Sequence, residues 1–258
     1  MTNATLNFKT APGHEILAAA GKKILRPGGC AATEQLFEWA NFQPGETLLE
    51  LASSFGYSAI ALAQRYKVKV VGVEKNPESV ARARANIRAA GLENQVEIIE
   101  GDVFHLDTIP GQFDYILAEA ILTMQSRPGK AKILAGIRNK LKPGGKFLSH
   151  ELLARDKEEQ IHTDLARVIR VNSTPLSEAN WINACETARL QVQKQQTGTM
   201  ALLNLKQLVQ DEGLVNTVGI LWNILKHKPS RKRVLEMYLI FQKYRHELGY
   251  IVLFAVAN

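Results

Sequence analysis

The chain has 258 residues, 46% of them hydrophobic and 22% charged, with a formal net charge of +7. That composition excludes wholesale disorder and collagen-like repeats, and the length suits one large domain with a core big enough to fold without disulfides. The two cysteines, Cys30 and Cys185, lie far apart in no metal-type spacing, which argues against a disulfide scaffold and a metal site and predicts a reducing, cytoplasmic setting.

No apolar run reaches the ~18 residues of a membrane-spanning helix, and residues 1–9 lack the pattern of a secretory leader. Residues 14–24 carry Ile16, Leu17, Ala20 and Ile24 at helical spacing, and the stretch ends at Arg26-Pro27-Gly28-Gly29. A second helix is predicted over 33–40. From there strands and helices alternate. Strands are predicted at 47–52, 68–73, 96–99, 113–117 and 146–152, and helices at 58–66, 76–90 and 131–141. Asn76-Pro77-Glu78 reads as a helix start: a capping side chain, a proline in the first turn and an acid beside the helix dipole. Residues 175–190 read as helix, 191–200 as strand, 204–247 as helix interrupted at Gly213 and Pro229, and 249–256 as a last strand.

This order predicts an α/β fold, Rossmann-like and doubly wound. The expected sheet is seven-stranded and mostly parallel, with helices on both faces. Residues 1–45 would form a helical cap, 46–155 a ligand-binding core, and 203–247 a helical insertion before the last strand. Ligands of such sheets bind at the C-terminal rim of the strands. Three acids fall on that rim. Glu50 stands at the end of the first strand, followed by the small residues Ala52, Ser54 and Gly56, which let a ligand approach the backbone. Glu74 ends the second strand, where a carboxylate can accept both hydroxyls of a ribose. Asp102 follows the third.

Taken together, Glu50-x-Ala52-x-Ser54-x-Gly56, Val70-Val-Gly-Val-Glu74, Gly101-Asp102-Val103 and Leu141-Lys-Pro-Gly-Gly-Lys-Phe147 resemble the motifs of class I S-adenosylmethionine-dependent methyltransferases, of the small-molecule or quinone-acting type. The resemblance is strong over residues 45–155 and weaker beyond. It implies S-adenosylmethionine as cofactor. Glu50 would orient the methionine amino group, and the backbone from Ala52 to Gly56 would pass close to the cofactor. Glu74 would hold the ribose, with Lys75 beside the adenine. Asp102 would accept from the adenine amine and Val103 would line the ring. Ala118 and Glu119 would face the methyl group and the acceptor. The family usually carries glycine where this chain has Ala52 and Ser54. A nicotinamide dehydrogenase would want Gly-x-Gly-x-x-Gly there, and only one glycine is present.

Methyl transfer is an in-line displacement whose main demand is alignment, with a base needed only where the nucleophile must lose a proton. Glu119 and the pair His150-Glu151 at the end of the fifth strand are the candidate bases. His14 and Arg26 could close over the cofactor, and Arg26 could pair with its carboxylate. The expected acceptor is a small molecule, hydrophobic or anionic. The hydrophobic run 214–225 suggests a substrate lid, and the basic cluster of Lys226, Lys228, Arg231, Lys232 and Arg233 suits an anionic group or a membrane surface. An RNA or protein acceptor is disfavoured, because Ala118-Glu-Ala-Ile stands where an Asn/Asp-Pro-Pro-Tyr/Phe signature would lie. A non-catalytic relative that only binds the cofactor is the other alternative. The oligomeric state is not legible in the sequence.

Overall fold

The computed structural model describes residues 7–258, so the first six residues of the expected cap, 1–6, lie outside the described residues. Seven strands form one sheet: β1 (Thr47–Leu51), β2 (Lys69–Glu74), β3 (Val96–Glu100), β4 (Phe113–Glu119), β5 (Leu141–Ala154), β6 (Leu190–Thr199) and β7 (Leu248–Ala257). Their order is β3-β2-β1-β4-β5-β7-β6. β1 to β5 pair in parallel, and β7 runs antiparallel between β5 and β6. Strand order reverses between β1 and β4, so the chain leaves these two strands toward opposite faces and opens a crevice at their C-terminal ends.

Nine α-helices flank the sheet among the described residues: α1 (Gly13–Ala19), α2 (Gly29–Ala40), α3 (Tyr57–Tyr66), α4 (Pro77–Ala89), α5 (Arg127–Lys140), α6 (Glu158–Ile169), α7 (Glu178–Thr187), α8 (Leu205–Lys226) and α9 (Lys228–Lys243). Strand residues alternate between two cores, as the two-residue period of a pleated strand requires. Leu48, Val70 and Leu148 face α2, α3 and α4, whereas Leu49, Val73 and Phe147 face α5 and α7. Each fully buried leucine contributes about 1.5–3 kcal/mol, so a sheet apolar on both faces is the main source of stability. A smaller cluster joins α1 to α9 through Ile16, Leu17 and Met237, and α6 packs on α9 through Ile161, Leu165 and Ile240.

Several boundaries differ from the sequence pattern. α1 ends at Ala19 rather than near Ile24. Gly21 then takes a φ of 107°, and the Glu212 carboxylate of α8 accepts from the Lys23 and Ile24 amides at 2.8 Å each, which holds this segment out of helix. α5 begins at Arg127, not at 131, because Ser126 caps it and Pro128 fills its first turn. β5 runs to Ala154, so His150 and Glu151 lie inside the strand rather than at its end. α6 has no counterpart in the sequence reading.

Candidate active site

A cleft of about 2650 Å³ runs along the C-terminal rim of β1, β2 and β4. The loop after β1 forms one wall. In it Ala52 and Ser54 take φ of 55° and 50°, and Gly56 takes 75°. Every second residue is thus left-handed, a conformation that glycine adopts freely and that costs other residues about 1–2 kcal/mol each. The loop therefore keeps the backbone path of a three-glycine motif with one glycine. Ala and Ser are tolerated because their short side chains leave the cleft side open. Gly56 itself faces away: a Cβ there would lie 3.3 Å from the Ala83 Cβ of α4.

Glu50 reaches the cleft floor from β1 and is 5% exposed. Its Oε2 is buried and has no hydrogen-bond partner. Burial, and then the nearby charge of Glu119, push its pKa up to about 7. Glu74, at the end of β2, accepts from the Ser54 amide through Oε2 and from the Asn76 amide through Oε1, both at 2.8 Å. This carboxylate stitches the β1 loop to the start of α4. Asp102 caps the 3₁₀ turn after β3 by accepting from the Phe104 amide, and pairs with Lys75 at 2.8 Å. Burial opposes its charge, but Lys75 and that amide outweigh burial and lower its pKa.

The β4 and β5 side of the cleft is a chain of polar contacts. The Gly28 amide donates to His150 Nε2 at 3.0 Å, so the imidazole proton sits on Nδ1, 3.2 Å from Thr33 Oγ1. Thr33 donates to Glu119 Oε1 at 2.5 Å, and Arg26 Nε pairs with Glu119 Oε2 at 3.0 Å. Arg26 also donates to Thr33 and Ser58. For Glu119, burial works against ionisation, but Arg26 and the His150 and Thr33 contacts prevail and hold its pKa below the ordinary value. Burial keeps His150 neutral.

The cleft therefore gathers Glu50, Ala52, Ser54, Glu74, Lys75, Asp102, Val103, Glu119, His14 and Arg26. Four expected site residues do not line it. Ala118 is fully buried in the sheet, and Glu119 and Ala120 present the surface there instead. Gly56 is turned against α4. His150 is fully buried with both ring nitrogens engaged, so it cannot take a proton from a molecule in the cleft. Arg26 is already paired with Glu119. Glu151, the fourth and the other half of the expected His150-Glu151 pair, is fully buried inside β5 and does not reach the cleft as a base. This buried carboxylate, pushed up to about 7 by burial, accepts from the Leu122 and Thr123 amides and fixes the loop whose Ile121 and Met124 line the cleft.

A family model described as a methyltransferase domain matches residues 48–145. An uncharacterized protein of Haemophilus influenzae is 32% identical over 244 residues, covering 94% of this chain and 97% of that protein. This chain belongs to the class I S-adenosylmethionine-dependent methyltransferases. Methyltransferase GfsG of Streptomyces halstedii is 27% identical over 147 residues, 57% of this chain and 49% of that protein. The fold matches a methyltransferase of Geobacter sulfurreducens crystallised with S-adenosyl-L-homocysteine, at a TM-score of 0.70 and 17% identity, over 95% of this chain and 98% of that one.

The residues of this methyltransferase fit its cofactor. Glu50 Oε2 is a buried acceptor aimed at the floor without a donor, which an ammonium group would satisfy. Each Glu74 oxygen accepts one backbone amide and keeps a free lone pair, the arrangement a vicinal diol requires. Among the described residues no group of three metal-ligating side chains occurs, and no helix is long and apolar enough to cross a membrane.

Proposed function

We propose that this methyltransferase acts on a small, largely apolar organic acceptor bearing an acidic group. When bound, the cofactor supplies a methyl group made electrophilic by its sulfonium. Glu50 takes the amino group, Glu74 the ribose hydroxyls, and Asp102 with Lys75 and Val103 the adenine edge; Ala52 and Ser54 present the backbone that flanks them. Glu119 is a weak base, because Arg26 and the His150 and Thr33 contacts lower its affinity for a proton. It acts with Arg26 as a rigid polar corner that positions the acceptor and excludes water. His150 is a positioning residue for Thr33 and Glu119. Deprotonation by the protein is then unnecessary, which suits an acceptor already ionised or with an available lone pair.

The observation that carries this reading is the volume of the cleft. At about 2650 Å³ it exceeds the ~300–1,000 Å³ of an ordinary ligand pocket. Beyond the cofactor end its wall is apolar, with Leu165, Ile169, Met200, Leu202, Met237 and Phe241. Its far end is basic, with Lys226, Arg231 and Lys232. The α8–α9 pair roofs this end and acts as the lid. The test is incubation with methyl-labelled S-adenosylmethionine and three pools: organic-extractable metabolites, total RNA and protein. Label in the organic fraction, reduced when Met200→Glu charges the apolar wall, supports the reading. Label in RNA or protein overturns it, and cofactor binding without label in any pool assigns the chain to the non-catalytic relatives.

A further inference from the structure

The second half of α8 is apolar on the wrong side for a helix packed on a domain. Thr217 and Ile220 face inward, yet Leu214, Val215, Val218, Trp222 and Leu225 are each more than half exposed. Their spacing of three to four residues makes a single outward stripe. On α9, Leu235 and Leu239 are also more than half exposed. The two helices meet in an apolar groove of about 230 Å³ whose lining includes Leu221, Leu235, Tyr238 and Arg231. Contiguous apolar surface of this kind marks an interaction site.

Charge indicates the occupant. From Gly213 to Leu235 the chain has no acidic residue, while Lys226, Lys228, Arg231 and Lys232 are all exposed at the corner between the helices. Lys226 sits over the Trp222 ring at 5.3 Å, so the basic rim directly adjoins the apolar stripe. A stripe of leucine, valine and tryptophan edged by lysine and arginine is the chemistry of a helix lying in the plane of an anionic membrane. From Leu214 to Leu225 it is about 16 Å long at 1.5 Å per residue, too short to span a bilayer. Lys226, Lys228, Arg231 and Lys232 also line the cleft, so its mouth opens at this corner.

We propose that the α8–α9 corner docks on an anionic lipid surface, with the Leu214–Leu225 stripe immersed at the headgroup boundary and the four cations against lipid phosphates. Docking stands apart from methyl transfer and is measured without cofactor. The consequence that the acceptor enters from the bilayer rests on the reading above.

The experiment is flotation of the full chain with phosphatidylcholine vesicles, with and without phosphatidylglycerol, at low and high salt. Trp222 emission is recorded in parallel, with Trp222→Phe identifying its share. The expected result is binding to the anionic vesicles only, weakened by salt, with a blue shift of Trp222. The variant K226Q/K228Q/R231Q/K232Q should bind several hundredfold more weakly, at roughly fivefold per cation. The surface variant L221S/W222S should lose binding with an unchanged circular dichroism spectrum. Failure to float, or flotation indifferent to both variants, overturns the proposal. So does a parent dimer that L221S/W222S dissociates without any vesicle binding, which assigns the stripe to a second copy. Salt-sensitive RNA binding by the same cations in place of vesicle binding overturns it too.

Discussion

Replacing Glu50 by glutamine should improve the empty protein and damage the loaded one. The carboxylate is 5% exposed, has an unpartnered oxygen, and has its pKa raised from 4.5 to about 7. A shift of about 2.5 units at 1.36 kcal/mol each is a penalty of about 3 kcal/mol. The sign follows from proton binding. Between pH 4.5 and 7 the folded chain holds a proton that the unfolded chain has released, so this group's contribution falls as pH rises through that window and is fully adverse above it. Glu50→Gln should therefore leave stability unchanged near pH 4.5 and raise it by about 3 kcal/mol at pH 8, a melting-temperature gain of about 6–12 °C for a chain of this size. S-adenosylhomocysteine binding should weaken in the same variant by about 10–150-fold, the worth of a charge-assisted hydrogen bond of about 1.5–3 kcal/mol. In the parent, affinity should rise from pH 6 to 8, and calorimetry in buffers of different ionisation enthalpy should register proton release below pH 7. Thermal melts and titrations at the two pH values check both halves. A variant that binds as tightly as the parent, or is no more stable at pH 8, would refute the assignment of that orphaned oxygen to the cofactor amino group.

Glu74→Ala removes both the diol acceptor and the stitch to the Ser54 and Asn76 amides. Affinity for S-adenosylhomocysteine should fall at least tenfold, and undiminished binding would sink the ribose role. Ala52→Gly/Ser54→Gly relieves two left-handed residues, each costing about 1–2 kcal/mol, against about 0.4–1 kcal/mol of added chain entropy per glycine. The expected net gain is about 1 kcal/mol with cofactor binding retained, read by thermal melting; a loss of stability would contradict the strain argument. Thr33→Val leaves the His150 Nδ1–H and a Glu119 oxygen without their shared partner. It should cost about 1–3 kcal/mol and lower turnover more than cofactor affinity. An unchanged melt would show that the relay is not formed.

The cofactor half of the site was legible because it is local. Glu50, Glu74 and Asp102 each sit at the end of a parallel strand, and strand ends on one rim are brought together by topology alone. The alternation of strands and helices is itself readable from apolar periodicity, since the central strands of a sheet covered on both faces are apolar at most positions. The small residues at 52, 54 and 56 announced the loop, but only the backbone dihedrals show that Ala52 and Ser54 perform the turn of glycines. The rest depended on contacts distant in sequence. Ile24 fits a helical stripe, yet Glu212, 188 residues away, captures its amide and the residue lies outside α1. His150 looks like a rim base in the sequence, and becomes a buried strut only because Gly28 and Thr33, more than a hundred residues earlier, fold over it. Ala118 sits next to Glu119, and the strand pleat buries the one in the sheet while turning the other toward the cleft. Composition and periodicity determine which segments are buried and which strand ends carry acids. Which side chain faces the cleft, which is already partnered, and which apolar face is left uncovered depend on long-range packing and hydrogen bonds that leave no local pattern.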